Sequence, residues 1–144
     1  MGFFLCSLGL IKIYRSINLV YHIEVKMKLT TEQKIALAKI MGWECKQSKN
    51  PENDYLYFRK EKGLVVMSVD DWNPDTNAER FRELEQAFIE KYEVDQMLVG
   101  IYNFPNKKEW TVKYYKNDGI YTISNGKGET KELASINAML KAES

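Results

Sequence analysis

Three aspartates around Trp72 are, by residue type, the part of the chain best suited to bind a hard cation or to supply paired acids. Asp70 and Asp71 immediately precede Trp72, and Asp75 follows it three residues later. Carboxylates are ligands for Mg²⁺ and Ca²⁺, and paired carboxyl groups carry out general acid–base catalysis. Adjacent residues of an extended segment point in opposite directions, however, and an acidic residue such as Asp75 also stabilises the N-terminus of a helix. We therefore expect a structural role for these aspartates.

The segment Gly126-Lys127-Gly128 is a second candidate, because a glycine-rich turn before a helix can hold a phosphate group at the helix N-terminus. It lacks the G-x-x-x-x-G-K-[ST] spacing of a P-loop. We interpret residues 125–128 as a flexible connection rather than a phosphate site.

The remaining residue types do not favour a cysteine nucleophile or a metal site. The chain has two cysteines, Cys6 and Cys45, with no C-x-x-C pair, and one histidine, His22. Histidine is the usual base for a cysteine or serine nucleophile, and zinc is held by clusters of cysteine and histidine. We therefore expect Cys45 to be a buried structural thiol, and we predict no catalytic residue, no metal and no other cofactor.

Tyrosines and lysines recur along the strands that the sequence predicts. On an exposed sheet they could stack nucleic-acid bases or form a surface for another protein, and tyrosine is also common in strands for structural reasons alone. The formal charge of +1 and the absence of an RNP motif make a specialised nucleic-acid-binding protein the less favoured choice. The candidate binding residues are Tyr57, Tyr102, Lys113, Tyr115 and Tyr121.

Three helices and two groups of strands must position these residues. Thr30 with Gln33 fits a capping box for a first helix that Gly42 ends, and Thr76 with Glu79 fits a second capping box for a helix over 77–92. A third helix starts near Thr130. Alternating apolar residues predict strands over 55–60, 64–69, 98–104, 110–116 and 120–124.

This order predicts one α+β domain in which an antiparallel sheet of about five strands is covered by three helices, α-β-β-α-β-β-β-α, in a sandwich-like arrangement. With 144 residues, 44% of them hydrophobic, the chain has enough apolar material for a core. No low-complexity stretch or interdomain linker interrupts residues 27–144, which we take as the single domain.

The segment 1–26 differs from the rest of the chain. Its apolar runs are interrupted by Lys12 and Arg15, which is unsuitable for a signal peptide or a transmembrane helix. Met27 followed by a polar helix start is typical of a soluble protein, so we expect 1–26 to be translated upstream sequence or a disordered extension, with a membrane-associating helix as the alternative. Without its three basic residues and one acidic residue the formal charge changes from +1 to −1.

Three sequence blocks occur in an order and spacing that resemble the phage ABA sandwich domain proteins, across about residues 29–142. They are Ile40-Met41-Gly42-Trp43, Trp72-Asn73-Pro74-Asp75-Thr76, and Trp110-Thr111-Val112 with the helix ending in Ala138-Met139-Leu140-Lys141-Ala142. The residues that carry the resemblance are Trp43, Trp72, Pro74, Thr76 and Trp110. The resemblance implies a small sandwich-like protein encoded by phages or prophages, and it brings no known activity and no functional residues.

We therefore expect a non-catalytic binding module of phage or prophage type that acts on a host or phage protein in the host bacterial cytoplasm, with no membrane partner for residues 27–144. The alternative is a nucleic-acid-binding accessory protein that uses a tyrosine- and lysine-rich sheet face. A third and less favoured hypothesis is an enzyme that uses the acidic residues near Trp72.

Overall fold

The computed structural model describes residues 28–48, 55–60 and 63–144. The expectations for residues 1–26, including Cys6 and His22, lie outside the described residues. The chain divides between Asn73 and Pro74 into two compact units. We describe each unit by itself.

In its described residues, the first unit consists of one α-helix followed by three antiparallel strands. Helix α1 (Thr31–Ile40) leads into β1 (Trp43–Gln47), β2 (Leu56–Lys60) and β3 (Val65–Ser68), and a 3₁₀ turn (Val69–Asp71) follows. The strands form a sheet in the order β1-β2-β3.

The two ends of α1 form as the sequence predicts. Thr30 Oγ1 accepts a hydrogen bond from the backbone N–H of Gln33 at 3.1 Å, and Gln33 Oε1 accepts one from the backbone N–H of Thr30 at 2.9 Å. This confirms the capping box. Gly42 has a φ of 77°, a left-handed conformation that glycine adopts without steric cost, and it ends the helix.

Aromatic rings and one lysine organise the core of the first unit. Trp43 packs edge-on against Trp72 with ring centroids 4.8 Å apart, and it lies 6.0 Å from Phe58. Lys34 Nζ donates hydrogen bonds to the Val69 carbonyl oxygen and to Asn73 Oδ1, both at 3.2 Å. These contacts hold the turn that carries Trp72 against α1, and both Trp43 and Trp72 are buried core residues.

The second unit is a helix, three antiparallel strands and a closing helix. Helix α2 (Ala78–Tyr92) is followed by β4 (Gln96–Phe104), β5 (Lys107–Lys116), β6 (Tyr121–Gly128) and α3 (Lys131–Glu143). The sheet order is β4-β5-β6. Phe81, Leu84 and Phe88 form the buried face of α2.

The described residues thus confirm an α+β protein with three α-helices, but the prediction of five strands in one sheet is wrong. There are two sheets of three strands, and the element order is α-β-β-β-α-β-β-β-α. The missed strand is β1, whose sequence Trp-Glu-Cys-Lys-Gln turns only Trp43 and Cys45 into the core. A five-residue strand with two charges has too little apolar alternation to be recognised beside a helix end.

The predicted cap of α2 is wrong by one residue. The helix begins after Asn77, whose Oδ1 accepts a hydrogen bond from the backbone N–H of Arg80 at 3.1 Å, while Thr76 lies in the preceding turn. Asparagine caps a helix at least as well as threonine, so two adjacent capping residues compete and the sequence alone does not decide between them.

The predicted flexible connection over 125–128 is also wrong, because these residues are the second half of β6. Gly126 and Gly128 lie directly against the backbone of α3. A Cβ at Gly126 would overlap the Ala134 carbonyl oxygen and the Ala138 backbone nitrogen, and a Cβ at Gly128 would lie 2.7 Å from the Ala134 backbone nitrogen. The glycines are there for close strand–helix packing, not for flexibility.

We predict that Asn77→Ala lowers the free energy of unfolding by about 1 kcal/mol, because the first turn of α2 loses its side-chain acceptor. Thr76→Ala is the matched control and should change stability by less than about 0.5 kcal/mol. Urea unfolding followed by circular dichroism measures both. An equal loss in the two variants would show that Thr76 shares the capping role.

We predict that Gly126→Ala lowers the free energy of unfolding by about 3 kcal/mol. The new methyl group would overlap backbone atoms of α3, which cannot change rotamer as a side chain could. Asn125→Ala, at an exposed neighbouring position of the same strand, should be near neutral. The same urea experiment applies. Similar stabilities for the two variants would contradict the close packing of β6 on α3.

Candidate functional site

The two helices of the second unit cover one face of its sheet, which we call the inner face. Val112 and Tyr114 of β5 are fully buried there. Phe88 of α2 packs against Tyr114 with ring centroids 4.9 Å apart, and Ser124 Oγ of β6 donates a hydrogen bond to the Ala138 carbonyl oxygen of α3 at 2.6 Å. The inner face of β5 and β6 is therefore core.

The opposite face of this sheet, which we call the outer face, is defined by the strand register. Residues directly opposite one another in an antiparallel pair have their side chains on the same face, and alternate residues along a strand share that face. Leu98 is opposite Lys113, and Tyr102 is opposite Glu109. The outer face consists of Gln96, Leu98, Gly100, Tyr102 and Phe104 on β4, Lys107, Glu109, Thr111, Lys113 and Tyr115 on β5, and Thr122, Asn125 and Lys127 on β6.

The structure brings together three of the five candidate binding residues. Tyr102, Lys113 and Tyr115 share the outer face. Tyr121 is opposite Lys116, one residue out of step with Tyr115, so it lies on the inner side at the edge of the sheet. Tyr57 belongs to β2 in the first unit and is part of a different sheet.

Leu98 and Phe104 of β4 complete the outer face beside Tyr102, and sequence reasoning missed these two residues. Leu98 and Tyr102 are each 57% exposed and Phe104 is 52% exposed. The rings of Tyr102 and Phe104 lie nearly parallel, with centroids 6.5 Å apart and an interplanar angle of 20°. The signal that could have identified Leu98 is its alternation with Tyr102 and Phe104 along a strand whose other positions are also apolar.

Within the second unit, strand β4 has exposed side chains on both of its faces. Met97 and Ile101 occupy its inner face and are 41% and 44% exposed, in contrast to the fully buried Val112 and Tyr114 of the neighbouring strand. Five large apolar side chains on one nine-residue strand are thus open to solvent. Three of them, Leu98, Tyr102 and Phe104, share the outer face, and exposed apolar side chains that cluster on one face are typical of interaction sites.

The charges on the outer face are mostly positive. The outer face carries three lysines, Lys107, Lys113 and Lys127, and one acidic residue, Glu109. Lys107 Nζ lies 4.0 Å from Glu109 Oε2. Exposed ion pairs at this distance contribute little to stability. The surface therefore combines an apolar strip along β4 with lysines along β5 and β6.

Two tyrosines carry the clearest electrostatic perturbations among the described residues, and both lie in the packing between helices and sheet. Burial raises the pKa of Tyr114, and its hydrogen bond to Glu85 at 3.1 Å acts in the same direction. At the ends of α2 and α3, burial together with the hydrogen bond and negative charge of Glu143 raises the pKa of Tyr92 to about 12. The Tyr92 hydroxyl donates its proton to the Glu143 carboxylate and also lies 3.2 Å from the Ala142 carbonyl oxygen. Lys91 Nζ is 2.8 Å from the same Glu143 carboxylate. Tyr92, whose pKa is raised by these contacts, therefore links the C-terminal end of α2 to that of α3. We call this link the Tyr92 clamp.

The other chemical candidates do not assemble into a site. Asp70 and Asp71 are exposed on the 3₁₀ turn, and no group of three acidic, histidine or cysteine side chains is close enough to hold a metal ion within residues 28–48, 55–60 and 63–144. Cys45 is buried in the first unit. Lys127 lies on β6, and the N-terminus of α3 is capped by Thr130, whose Oγ1 accepts from the Leu133 N–H at 3.1 Å.

No α-helix in the described part of the chain is both long enough and apolar enough to cross a membrane. The chain matches no protein-family model, no curated protein and no solved structure with which it was compared.

We predict that Tyr92→Phe weakens the alkaline pH dependence of stability. The folded protein holds the phenol proton of Tyr92 more tightly than the unfolded chain does, because its pKa rises from 10 to about 12 on folding. This contribution is complete below about pH 10 and is lost as the pH rises from about 10 to about 12. Tyr114 titrates in both proteins, so the difference between them reports on Tyr92.

Urea unfolding at a series of pH values from neutral to alkaline measures the effect, with Tyr102→Phe as the matched control at an exposed ring. At neutral pH Tyr92→Phe should also be less stable than the wild type by about 1 kcal/mol, because hydrogen bonds between α2 and α3 are lost. Parallel pH profiles for the wild type and Tyr92→Phe would contradict the clamp.

Proposed function

We propose that the protein is a non-catalytic binding module of phage or prophage type that acts on a host or phage protein. The observation that supports this most directly is the outer face of the second unit, where an apolar strip of Leu98, Tyr102 and Phe104 is open to solvent beside lysines. Protein interfaces are enriched in aromatic side chains at their centre and are polar at their rim.

The composition of the outer face specifies the chemistry of the partner. Leu98 and Tyr102 need apolar side chains opposite them, because only displacement of water from apolar area makes such contacts favourable. Lys113, which is opposite Leu98, and Lys127 favour acidic residues at the edge of the contact. The proposed partner surface is therefore apolar at its centre and acidic at its rim.

The biological setting is proposed from the resemblance to the phage ABA sandwich domain proteins. The tryptophans of its first two blocks, Trp43 and Trp72, are core residues, and Trp110 lies half-buried on β5. A protein of this type would act in the cytoplasm of the host bacterium.

A second candidate function is binding of single-stranded nucleic acid. The nearly parallel rings of Tyr102 and Phe104 are exposed on the same face as Lys107 and Lys113. Single-strand-binding proteins combine aromatic rings that stack on bases with cationic side chains that contact the phosphates. The Glu109 carboxylate within this group weakens the attraction for a polyanion.

The test is capture of partners from bacterial lysate by the full-length protein, with and without nuclease, using two charge-reversal variants of one strand. Lys113→Glu changes the outer face, and Lys116→Glu is the matched control because its register places it on the inner side. We expect one specific protein to be retained by the wild type and by Lys116→Glu. Retention by Lys113→Glu should fall about tenfold, the equivalent of about 1.4 kcal/mol.

Partner loss on nuclease treatment, together with a salt-dependent mobility shift of a labelled oligonucleotide, would favour the nucleic-acid function instead. Equal retention by all three proteins would show that the outer face is not the binding surface.

A further inference from the structure

Strand β4 is an edge strand that lacks the usual protection against pairing with another chain. Its nine residues, Gln96–Phe104, include no charged residue and no proline, and within the described residues it is paired only with β5. Natural proteins protect exposed edges with lysine, proline, bulges or short strand length. The other edges of the two sheets have such features, since β1 contains Glu44 and Lys46, β6 contains Lys127, and β3 has four residues.

We propose that β4 pairs with β4 of a second copy of the chain, in antiparallel orientation about Gly100. The β4-β5-β6 sheet of one copy then joins the β4-β5-β6 sheet of the other copy to form one six-stranded sheet. This pairing goes beyond the partner binding proposed above and does not depend on it. The joined sheet presents two copies of the outer face as one continuous surface.

The register centred on Gly100 is self-complementary. It pairs all nine residues and places Leu98 opposite Tyr102 of the second copy, while Val99 faces Ile101 of the second copy on the inner side. A two-fold axis makes each pair occur twice in the dimer, so Leu98, Ile101 and Tyr102 of each copy gain one apolar neighbour directly opposite. Cross-strand pairs of an aromatic ring with an aliphatic side chain are favourable in antiparallel sheets.

Gly100 suits the centre of this arrangement. Its own position has no side chain on the outer face, and Tyr102 of the second copy lies diagonally across from it. A ring from the neighbouring strand can therefore cover the backbone that the glycine leaves open. Gly100 is itself partly exposed, with Leu98 and Tyr102 on either side of it.

The charges of the flanking strands are compatible with a second copy. The row across the joined sheet that starts at Lys113 passes through Leu98 and through Tyr102 of the second copy, and ends at Glu109 of the second copy. Lys113 therefore shares a row with an opposite charge, about 14 Å away across three strand spacings. The two copies of Lys113 lie in different rows and are farther apart still. Both separations exceed the screening length of about 8 Å at physiological salt, so these charges do not oppose the pairing.

The uncharged β4 also favours a second copy over an acidic segment of another protein. A strand with no charge gains nothing electrostatically from an acidic strand beside it, whereas its own apolar sequence in reverse provides matching side chains in every central row. An acidic partner is better suited to the lysines of β5 and β6, which remain open in the joined sheet.

The test is the mass of the full-length protein in solution, measured by size-exclusion chromatography with light scattering. We expect the wild type to have twice the chain mass of 16.9 kDa. The double variant Leu98→Lys with Tyr102→Lys places like charges opposite each other twice and should be a monomer. The matched control, Ile120→Lys with Tyr121→Lys, adds the same charge at exposed apolar positions outside β4 and should remain a dimer.

A charge-exchange experiment tests the register itself. Leu98→Glu with Tyr102→Glu should also be monomeric, and mixing it with the lysine double variant should restore a dimer that contains one chain of each kind. Circular dichroism confirms that each variant is folded, so that loss of the dimer is not loss of structure. Backbone amides of β4 should exchange hydrogen more slowly in the mixture than in either variant alone.

A wild type that remains monomeric, a dimer that survives the lysine double variant, or a mixture that fails to form the mixed dimer would each overturn the proposal. A complex of one chain with an extended segment of another protein that requires Leu98 and Tyr102 would also overturn it. The outcome is separable from that of the proposed function: a monomer that captures a partner through Lys113 refutes only the dimer, and a dimer that captures none refutes only the partner binding.

Discussion

A side chain at position 126 would collide with the backbone of α3, so β6 and α3 can approach each other this closely only because the strand has glycine there. The same holds at Gly128. This contact places α3 over β6 and β5. Together with Phe88 of α2, which packs on Tyr114, it buries the inner face of β5, including Val112. Because both helices lie over β5 and β6, the inner side of β4 remains exposed. Its outer side is also not covered by any described residue of the second unit. The exposure of β4 therefore follows from where the helices are held.

Features of the fold that are determined by residues close together in the sequence could be predicted. Features that depend on contacts with distant residues could not. The Thr30 capping box and the Gly42 stop were predicted because each feature is determined within a few neighbouring residues. Asn77 was missed because Thr76 offers an equivalent cap one position earlier. Gly126 and Gly128 were misinterpreted because glycine favours turns locally, and only the distant helix explains why it is needed in a strand.

The candidate site shows the same division between local and distant causes. Tyr102, Lys113 and Tyr115 reach one face because regular alternation holds across β4 and most of β5. Tyr121 is displaced because the register shifts between Tyr114 and Tyr115, and an irregularity of that kind has no marker in the sequence. Tyr57 separates from the others because the strands form two sheets, a choice that depends on long-range pairing. Leu98 and Phe104 of β4 were not recognised as exposed because a strand with apolar residues on both faces is typical of a buried one.

The sequential order of the strands has a consequence for how the second unit forms. Each strand pairs with its neighbour along the chain, so the β4-β5-β6 sheet consists entirely of hairpins, which form within microseconds. Helix α3 follows β6 and completes the core only when it docks. Any state of this unit in which α3 is not docked leaves Val112 and Tyr114 without their covering helix, in addition to the exposed β4. Such a state exposes more apolar surface than the folded protein and is therefore more prone to aggregate.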